Sequence, residues 1–180
     1  MNASAAAGHG RLAVITGASG FIGRWLVPEF ARCGWSLRLL LRRDPVAPEW
    51  QHLRPEIVAG TLADPAALEN LVEGAALIVH AGGLIKAATR RQFFEVNRDG
   101  TAALAQAARS AVPDAHFMLV SSIAAREPCL SDYAASKSAG ESAVREILGT
   151  RATILRPPAV YGPGDRESLR FFQVARHRYV

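Results

Sequence analysis

The chain of 180 residues has few cysteines, almost no lysine and no long apolar run. Cys33 and Cys129 stand alone without C-x-x-C spacing, which disfavours a disulfide framework and a metal site and suits a reducing, cytoplasmic location. No apolar run reaches the ~18 residues that a membrane-spanning helix needs. Residues 1–10 lack the basic and apolar regions of a secretory signal, so we expect a disordered leader there.

Positive charge is abundant, but arginine carries almost all of it. The 21 basic residues are 19 arginines and two lysines, and the formal net charge is +5. The arginines are scattered, and no aromatic residues are interleaved with them as in a nucleic-acid-binding stripe. Neither a nucleic acid nor a membrane is therefore expected as a partner, and the rare Lys137 calls for an explanation.

Short apolar runs alternate with helical patterns along most of the chain. Strands are predicted at 11–17, 35–42, 55–60, 75–83, 115–122 and 151–157, and helices at 21–34, 64–74, 89–110 and 131–148. This alternation predicts an α/β fold, a doubly wound parallel sheet with helices on both faces. One domain is expected from the length, at residues 11–165. Ligands bind such sheets beyond the carboxyl ends of the strands.

Three glycines follow the first predicted strand. Gly17, Gly20 and Gly23 form a GxxGxxG pattern at a strand-to-helix junction, where missing Cβ atoms allow a tight turn and let a pyrophosphate approach the helix. A glycine trio alone is weak evidence, but its position in a βαβ pattern favours a dinucleotide site. Further candidate cofactor contacts in this loop are Ser19, Phe21 and Ile22.

Tyr133 and Lys137 lie four residues apart on a predicted helix, so their side chains project from one face. A cation held near a tyrosine favours the phenolate and suits the tyrosine to proton transfer at neutral pH. The compact ammonium of lysine can also donate to two ribose hydroxyls, whereas the broad guanidinium of arginine would not fit the same slot. A surface pair without a role is the alternative, which the glycine loop and the scarcity of lysine make the weaker one.

Two serines, Ser121 and Ser122, lie at the carboxyl end of the fifth predicted strand. A hydroxyl there can hydrogen-bond a substrate carbonyl while Tyr133 delivers or removes the proton, although a serine at a strand end is otherwise a turn residue. We favour Ser122, which lies further beyond the strand and is expected to face the cleft.

Six short motifs follow one another from about Arg11 to Asp165: TGASGFIG, VHAGG, VNRDGT, LVSS, YAASK and LRPPAVYGPGD. Together they make the chain resemble the extended short-chain dehydrogenase/reductase superfamily, which includes the epimerase/dehydratase enzymes. The resemblance implies a Rossmann-type NAD(P)-binding domain. It also implies an oxidoreductase that transfers hydride between nicotinamide and a carbonyl or alcohol substrate.

The resemblance also implies roles for single residues. Tyr133 would be the acid/base, Lys137 would bind the nicotinamide ribose, and Ser122 would orient the substrate. Asn97 matches the asparagine that shapes the fourth helix beside the active site and completes the implied catalytic set. His80 would pack at the end of its strand rather than act as a base. The residues implied to line the cofactor after the fourth and sixth strands are His80, Ala81, Gly82 and Pro157.

Two departures from the family pattern concern the cofactor. Thr61, followed by Leu62, stands where members often have an aspartate that contacts adenine, which puts that contact in question. Leu41 takes the place of the acidic residue that binds the ribose 2′-hydroxyl in NAD-preferring members. Arg42 and Arg43 come next and can pair with a 2′-phosphate, so NADP(H) is expected to be favoured over NAD(H).

The residues after the catalytic serine narrow the reaction. Sugar dehydratases of the superfamily carry an Asp-Glu pair there, but this chain has Ile123 and Ala124, so elimination is disfavoured. The connection from Ser122 to Tyr133 is short, which favours a carbonyl reductase or alcohol dehydrogenase. A nucleotide-sugar epimerase and a non-catalytic NADP-binding regulatory module remain open. The expected partner is a small-molecule carbonyl, alcohol or nucleotide sugar.

Superfamily members continue beyond the last motif into a smaller lobe of ~100 residues that closes over the substrate. We expect residues 166–180 to begin such a lobe, with most of it absent. Phe171, Phe172 and Tyr179 would then form an exposed apolar edge. This edge predicts self-association, with a homodimer as its simplest form.

Overall fold

The computed structural model describes residues 10–42 and 48–165, together with residues 169, 173 and 174. Six strands form one parallel sheet in the order β3-β2-β1-β4-β5-β6. The strands are β1 (Leu12–Thr16), β2 (Ser36–Leu41), β3 (Glu56–Ala59), β4 (Leu77–His80), β5 (His116–Val120) and β6 (Ala152–Leu155). The strand order reverses between β1 and β4, so their carboxyl ends border the crevice where ligands of such sheets bind.

Helices connect successive strands. The α-helices are α1 (Phe21–Arg32), α2 (Pro65–Val72), α3 (Arg90–Phe94), α4 (Thr101–Ala111) and α5 (Asp132–Leu148). Shorter 3₁₀ helices lie at Pro48–Leu53, Ile123–Arg126 and Gly149–Arg151. The sequence patterns did not predict these 3₁₀ segments, although Trp50 in the first of them is buried in the core.

The sheet has a packed core on each face. In β1, Val14 packs on one face with Leu104 of α4 and Val144 of α5. Its neighbour Ile15 packs on the other face with Val27 of α1. Successive side chains of a strand point to opposite faces, so both faces of this parallel sheet need a cover of helices. The predicted Rossmann-type doubly wound sheet is confirmed.

One helix differs from its prediction. The predicted regular helix at 89–110 is interrupted, because a π-helical turn at Glu95–Gly100 separates α3 from α4. The Oγ1 of Thr101 donates to the carbonyl oxygen of Asn97 at 2.9 Å. A Cβ on Gly140 of α5 would collide with that same carbonyl, so glycine is needed there for the close approach of the two helices. A single wide turn hardly changes the hydrophobic periodicity of a helix. The prediction of a regular helix was therefore wrong here.

Some predictions fall outside the described residues. These are the leader apart from Gly10, residue Arg43, and the aromatic edge at Phe171, Phe172 and Tyr179. Within the described ranges, no helix combines the length and the apolar character that crossing a bilayer requires. In the same part of the chain, no three His, Cys, Asp or Glu side chains form a group that could hold a metal ion.

Candidate active site

The glycine loop between β1 and α1 packs against the loop that follows β4. Gly17 has a φ of 72°, and a Cβ there would lie 2.5 Å from the backbone nitrogen of Gly82. A Cβ on Gly23 would lie 2.6 Å from the Cα of Ala18 and would also collide with the carbonyl oxygen of Gly17. Gly20 is the N-cap of α1, and no side chain caps that helix. The backbone therefore forms a close-packed cradle at a helix N-terminus, the arrangement that an anionic pyrophosphate requires.

The other predicted contacts of this loop surround the cradle. Ser19 is exposed, and Phe21 and Ile22 form the half-buried first turn of α1. Across the crevice, the backbone N–H of Ala81 donates to the carbonyl oxygen of Thr16 at 3.1 Å. The loop after β1 and the loop after β4 therefore meet at the carboxyl ends of these two strands.

Three further cofactor candidates follow the ends of β2 and β3. Arg42 is exposed directly after β2. The Oγ1 of Thr61 accepts from the backbone N–H of Ala63 at 3.2 Å, which stabilises the turn before α2. Leu62 is half-buried, and a Cβ on Gly100 would lie 2.9 Å from its Cβ. Leu62 therefore packs against the π-helical turn, whereas Arg42 stays available at the surface.

His80 ends β4 and is fully buried. The Oγ1 of Thr101 already donates its proton to the carbonyl oxygen of Asn97. In its 2.9 Å hydrogen bond with His80 it must therefore accept, and Nε2–H of the imidazole donates. Nδ1 then accepts from the hydroxyl of Thr16 at 2.6 Å. Burial, and then the charge of Lys137, lower the pKa of His80 to about 3. This neutral imidazole links β1 to α4.

Asn97 lies in the π-helical turn and joins two other segments. Its Nδ2 donates to the carbonyl oxygen of Leu84 at 2.9 Å and to Oγ of Ser136 at 3.0 Å, and its Oδ1 accepts from the N–H of Leu84 at 2.8 Å. Ser136 in turn donates to the carbonyl oxygen of Tyr133 at 2.8 Å. The side chain of Asn97 therefore ties the loop after β4 to the first turn of α5, which carries the predicted acid/base.

Ser122 lies beyond the end of β5, in a loop that is bonded to the end of β6. Its Oγ accepts from the N–H of Ala124 at 3.2 Å. The N–H of Ile123 donates to the carbonyl oxygen of Pro157 at 3.0 Å. Pro157 and Ser122 are therefore neighbours. Among the described residues the Ser122 hydroxyl donates to no acceptor, so its proton is available to a substrate carbonyl.

Lys137 places its ammonium at the same edge of the sheet. The residue is 7% exposed, and its Nζ donates to the carbonyl oxygen of Val120 at 2.9 Å. A Cβ on Gly83 would lie 3.7 Å from this Nζ. Tyr133 lies one turn earlier on α5, half-buried, with its ring centroid 6.1 Å from that of Phe93. The helix thus places Lys137 Nζ at the end of β5, with Tyr133 one turn earlier against Phe93 of α3.

Burial lowers the pKa of Lys137 from 10.5 to about 8, and the nearby carboxylate of Glu141 acts in the opposite direction. Between these values the unfolded chain holds the lysine proton more tightly than the folded one, so the contribution of Lys137 to stability rises with pH there. Below pH 8 the buried charge therefore opposes folding. A perturbed cation in a crevice is typical of a functional site.

Glu141 is a buried carboxylate that the sequence reasoning missed. It accepts from Oγ of Ser121 at 2.6 Å, from Arg145 at 3.0 Å, and from Nε and Nη2 of Arg156 at 2.9 and 2.5 Å. Burial acts to raise the pKa of Glu141, but hydrogen bonds from Arg156, Ser121 and Arg145 together hold it below the ordinary value. We call these four residues the Glu141 cluster. Its sequence signal is the spacing of four from Lys137 on one helix.

A polar surface pocket of about 550 Å³ lies elsewhere, beside β3 and α2, and contains none of the predicted site residues. Its central side chain, Arg38, donates from Nη1 to the carbonyl oxygens of Asn70 and Leu71, each at 3.1 Å, and of Glu73 at 2.6 Å. Its Nε lies 2.8 Å from a carboxylate oxygen of Glu56. Arg38 therefore caps the carboxyl end of α2, and the charges of this pocket serve the fold.

A family model described as the NAD-dependent epimerase/dehydratase family matches residues 13–178. The chain belongs to this family. The resemblance inferred from the six motifs is therefore confirmed, and membership in the epimerase/dehydratase family supports an enzyme that uses a nicotinamide cofactor.

Two curated proteins that are named as reductases are similar to this chain. The ceramide reductase of Caulobacter vibrioides (strain NA1000 / CB15N) is 56% identical over 161 residues, which cover 89% of this chain and 50% of the relative. A 4-hydroxy-2-methyl-3-oxo-4-farnesyl-3,4-dihydroquinoline-1-oxide ketoreductase of Stigmatella aurantiaca is 29% identical over 169 residues, with 84% and 51% covered. The chain spans about half the length of these curated relatives.

A solved structure supports the same placement. A short-chain dehydrogenase/reductase superfamily protein from Agrobacterium tumefaciens with bound NAD superposes with a TM-score of 0.68 and 26% sequence identity. The match covers 81% of this chain and 48% of that protein. The fold that holds NAD in the relative is thus the fold that surrounds the glycine loop and Lys137 here.

Proposed function

We propose that this protein is an NAD(P)-dependent reductase that transfers hydride between nicotinamide and a carbonyl or alcohol, with Ser122, Tyr133 and Lys137 as its triad. The observation that carries the proposal is the position of Lys137. A buried ammonium at the carboxyl ends of the strands opposes folding below pH 8, and a structural role does not require that cost. Cofactor binding and proton transfer do require a fixed cation there.

The described residues fit a bound dinucleotide. A side chain on Gly17 or Gly23 would fill the cradle at the start of α1. Within the described residues, the ammonium of Lys137 donates to one acceptor, the carbonyl oxygen of Val120. An ammonium has three N–H donors, so two are left for hydroxyl groups such as those of a ribose. The bound nicotinamide would supply or accept the hydride.

Each member of the triad has one task in the proposed reaction. The hydroxyl of Ser122 donates a hydrogen bond to the substrate carbonyl oxygen and so fixes its orientation. The hydroxyl of Tyr133 gives its proton to that oxygen as the carbonyl is reduced. The charge of Lys137 stabilises the phenolate that remains. Asn97 and His80 hold the surrounding segments, Asn97 through Leu84 and Ser136 and His80 through Thr16 and Thr101.

We further propose that the substrate is a ceramide-type lipid that carries a ketone. The 56% identical relative is named a ceramide reductase, and the ketoreductase relative acts on a compound that bears a farnesyl group. Three exposed apolar residues support this class. Ile85, Ile123 and Leu130 are 58%, 43% and 79% exposed, and they lie in the loops next to Asn97, Ser122 and the start of α5. Such an apolar rim suits an alkyl chain better than a nucleotide sugar.

The substrate proposal is tested by a direct comparison of two substrate classes. The purified protein is given NADPH with either a ketone-bearing ceramide-type lipid in detergent or a panel of nucleotide sugars. We expect oxidation of NADPH and an alcohol product with the lipid alone. Interconversion of a nucleotide sugar without net consumption of NADPH would instead establish an epimerase, and cofactor binding without any turnover would establish a regulatory module.

We also propose that NADP(H) is preferred over NAD(H), because Leu41 stands where NAD-preferring members of the superfamily carry an acid and the next residue, Arg42, is exposed. The expected result is tighter binding of NADPH than of NADH in a fluorescence titration. Replacing Arg42→Ala should weaken NADPH binding by about tenfold through loss of a charge-assisted hydrogen bond. It should leave NADH binding nearly unchanged. Equal affinities for the two cofactors in the unaltered protein would contradict the preference.

A further inference from the structure

The Glu141 cluster lies directly behind the predicted triad. Nζ of Lys137 donates to the carbonyl oxygen of Val120, and Oγ of Ser121, the next residue, donates to Glu141. The ammonium and the carboxylate are therefore bound to adjacent residues at the end of β5. They also lie four residues apart on α5, on one face of the helix. Both along α5 and across the end of β5, the negative charge next to Lys137 is the carboxylate of Glu141.

The same carboxylate fixes the strand ends that carry the triad. Arg156, the first residue after β6, binds Glu141 through two nitrogens at 2.9 and 2.5 Å. The N–H of Ser121 donates to the carbonyl oxygen of Leu155 at 2.8 Å. One side chain of α5 thus joins the ends of β5 and β6 at the positions just before Ser122 and Pro157.

We propose that Glu141 is a positioning residue that keeps Lys137 in its charged form and holds the ends of β5 and β6 beside it. The use of the Lys137 charge in catalysis rests on the proposed function. The effect of Glu141 on the protonation of Lys137 does not depend on that function. Glu141 acts through Lys137 and Ser121, so it touches no substrate.

The signs of the ionisable groups near Lys137 decide what each change should do. Glu141 of α5 and His80 of β4 interact with Lys137 electrostatically, Arg145 and Arg156 bind the carboxylate of Glu141, and Tyr133 lies one turn before Lys137 on α5. His80 is neutral at physiological pH, so it contributes no charge. Removal of the negative charge of Glu141 should make Lys137 easier to deprotonate. Removal of the positive charge of Arg156 should make it harder, because Glu141 is then less neutralised.

The experiment exploits the fact that the chain has two lysines, Lys86 and Lys137. Lysine-selective ¹³C labelling then gives two side-chain titrations by NMR, and exposed Lys86 serves as an internal reference. We expect Lys137 to titrate near pH 8 in the unaltered protein. Glu141→Gln should lower that midpoint by about one pH unit, and Arg156→Gln should raise it. Glu146→Gln, which removes an exposed carboxylate of the same helix, should leave it unchanged.

Two controls separate this electrostatic effect from a loss of structure. Ser121→Ala keeps every charge but removes a hydrogen bond of Glu141, so the midpoint should stay where it is. Where Glu141→Gln does not fold, the upward shift in Arg156→Gln still tests the proposal. An unchanged midpoint in Glu141→Gln, or shifts of the same sign in Glu141→Gln and Arg156→Gln, would overturn it.

The functional consequence is measured on the same variants. The affinity for NADPH should fall as the pH rises past the midpoint of Lys137, and this fall should begin at a lower pH in Glu141→Gln. Identical pH dependence in the two proteins would contradict the positioning role. Failure of the unaltered protein to bind any nicotinamide nucleotide would defeat the proposed function and would leave the NMR result on Lys137 standing.

Discussion

Replacing Tyr133→Phe is expected to reduce turnover by ~10² or more while cofactor affinity stays within about twofold. The change removes one oxygen, the proposed proton donor, and keeps the ring that lies against Phe93. The hydrogen bond from Ser136 goes to the backbone carbonyl of residue 133, so the start of α5 is also preserved. Steady-state rates and a fluorescence titration with NADPH measure the two quantities separately.

A loss of turnover without a loss of cofactor affinity distinguishes a catalytic role of Tyr133 from a role in binding. A dinucleotide-binding module has no use for the hydroxyl of Tyr133, whereas a reductase depends on it. Turnover of the phenylalanine variant at the rate of the unaltered protein would therefore end the assignment of an acid/base at this position. A parallel loss of cofactor affinity and turnover would point to a structural role for the hydroxyl.

A second large effect is expected from Gly23→Ala at the start of α1. The added methyl would lie 2.6 Å from the Cα of Ala18 and would also collide with the carbonyl oxygen of Gly17. Both are backbone atoms of the cradle, so the loop must move. We expect a loss of about 2–4 kcal/mol in the free energy of unfolding. NADPH affinity should fall at least about tenfold, because a displaced loop no longer holds the pyrophosphate as closely.

Gly74→Ala is the matched control for this prediction. Gly74 has a φ of 68° and no heavy atom within 4 Å of a built Cβ. The substitution carries a backbone strain of about 1 kcal/mol but no collision, and it lies at the end of α2, away from the glycine loop. NADPH affinity should be unchanged. Thermal unfolding and cofactor titration of both variants check the pair, and equal affinity in Gly23→Ala and the unaltered protein would contradict the cradle.

The fold was predictable from the sequence because its signals are local and repeated. Each strand is a short apolar run, and four of the five crossovers have a helical pattern, so the parallel sheet and both helical layers follow from periodicity. The π-helical turn at Glu95–Gly100 was not predictable in this way. It depends on the Thr101 hydroxyl and on the close approach of Gly140, which come from different segments of the chain.

In the candidate site, too, the residues with local sequence signals could be predicted and those that depend on distant contacts could not. Gly17, Tyr133 and Lys137 could be recognised because motif spacing places them at strand ends and on one helix face. Glu141 was missed, since its importance comes from Ser121 and Arg156, which are distant in sequence and meet it only in the folded sheet. The neutral state of His80 likewise follows from burial rather than from any pattern of residues.

The most direct test of the central claim is hydride transfer to a lipid ketone. The protein is incubated with a ketone-bearing ceramide-type lipid and NADPH that carries deuterium at the transferred position of the nicotinamide, and the product is analysed by mass spectrometry. We expect one deuterium on the carbon of the new alcohol, and a loss of that product in Tyr133→Phe. An alcohol without deuterium, or no alcohol from a protein that binds NADPH, would contradict it.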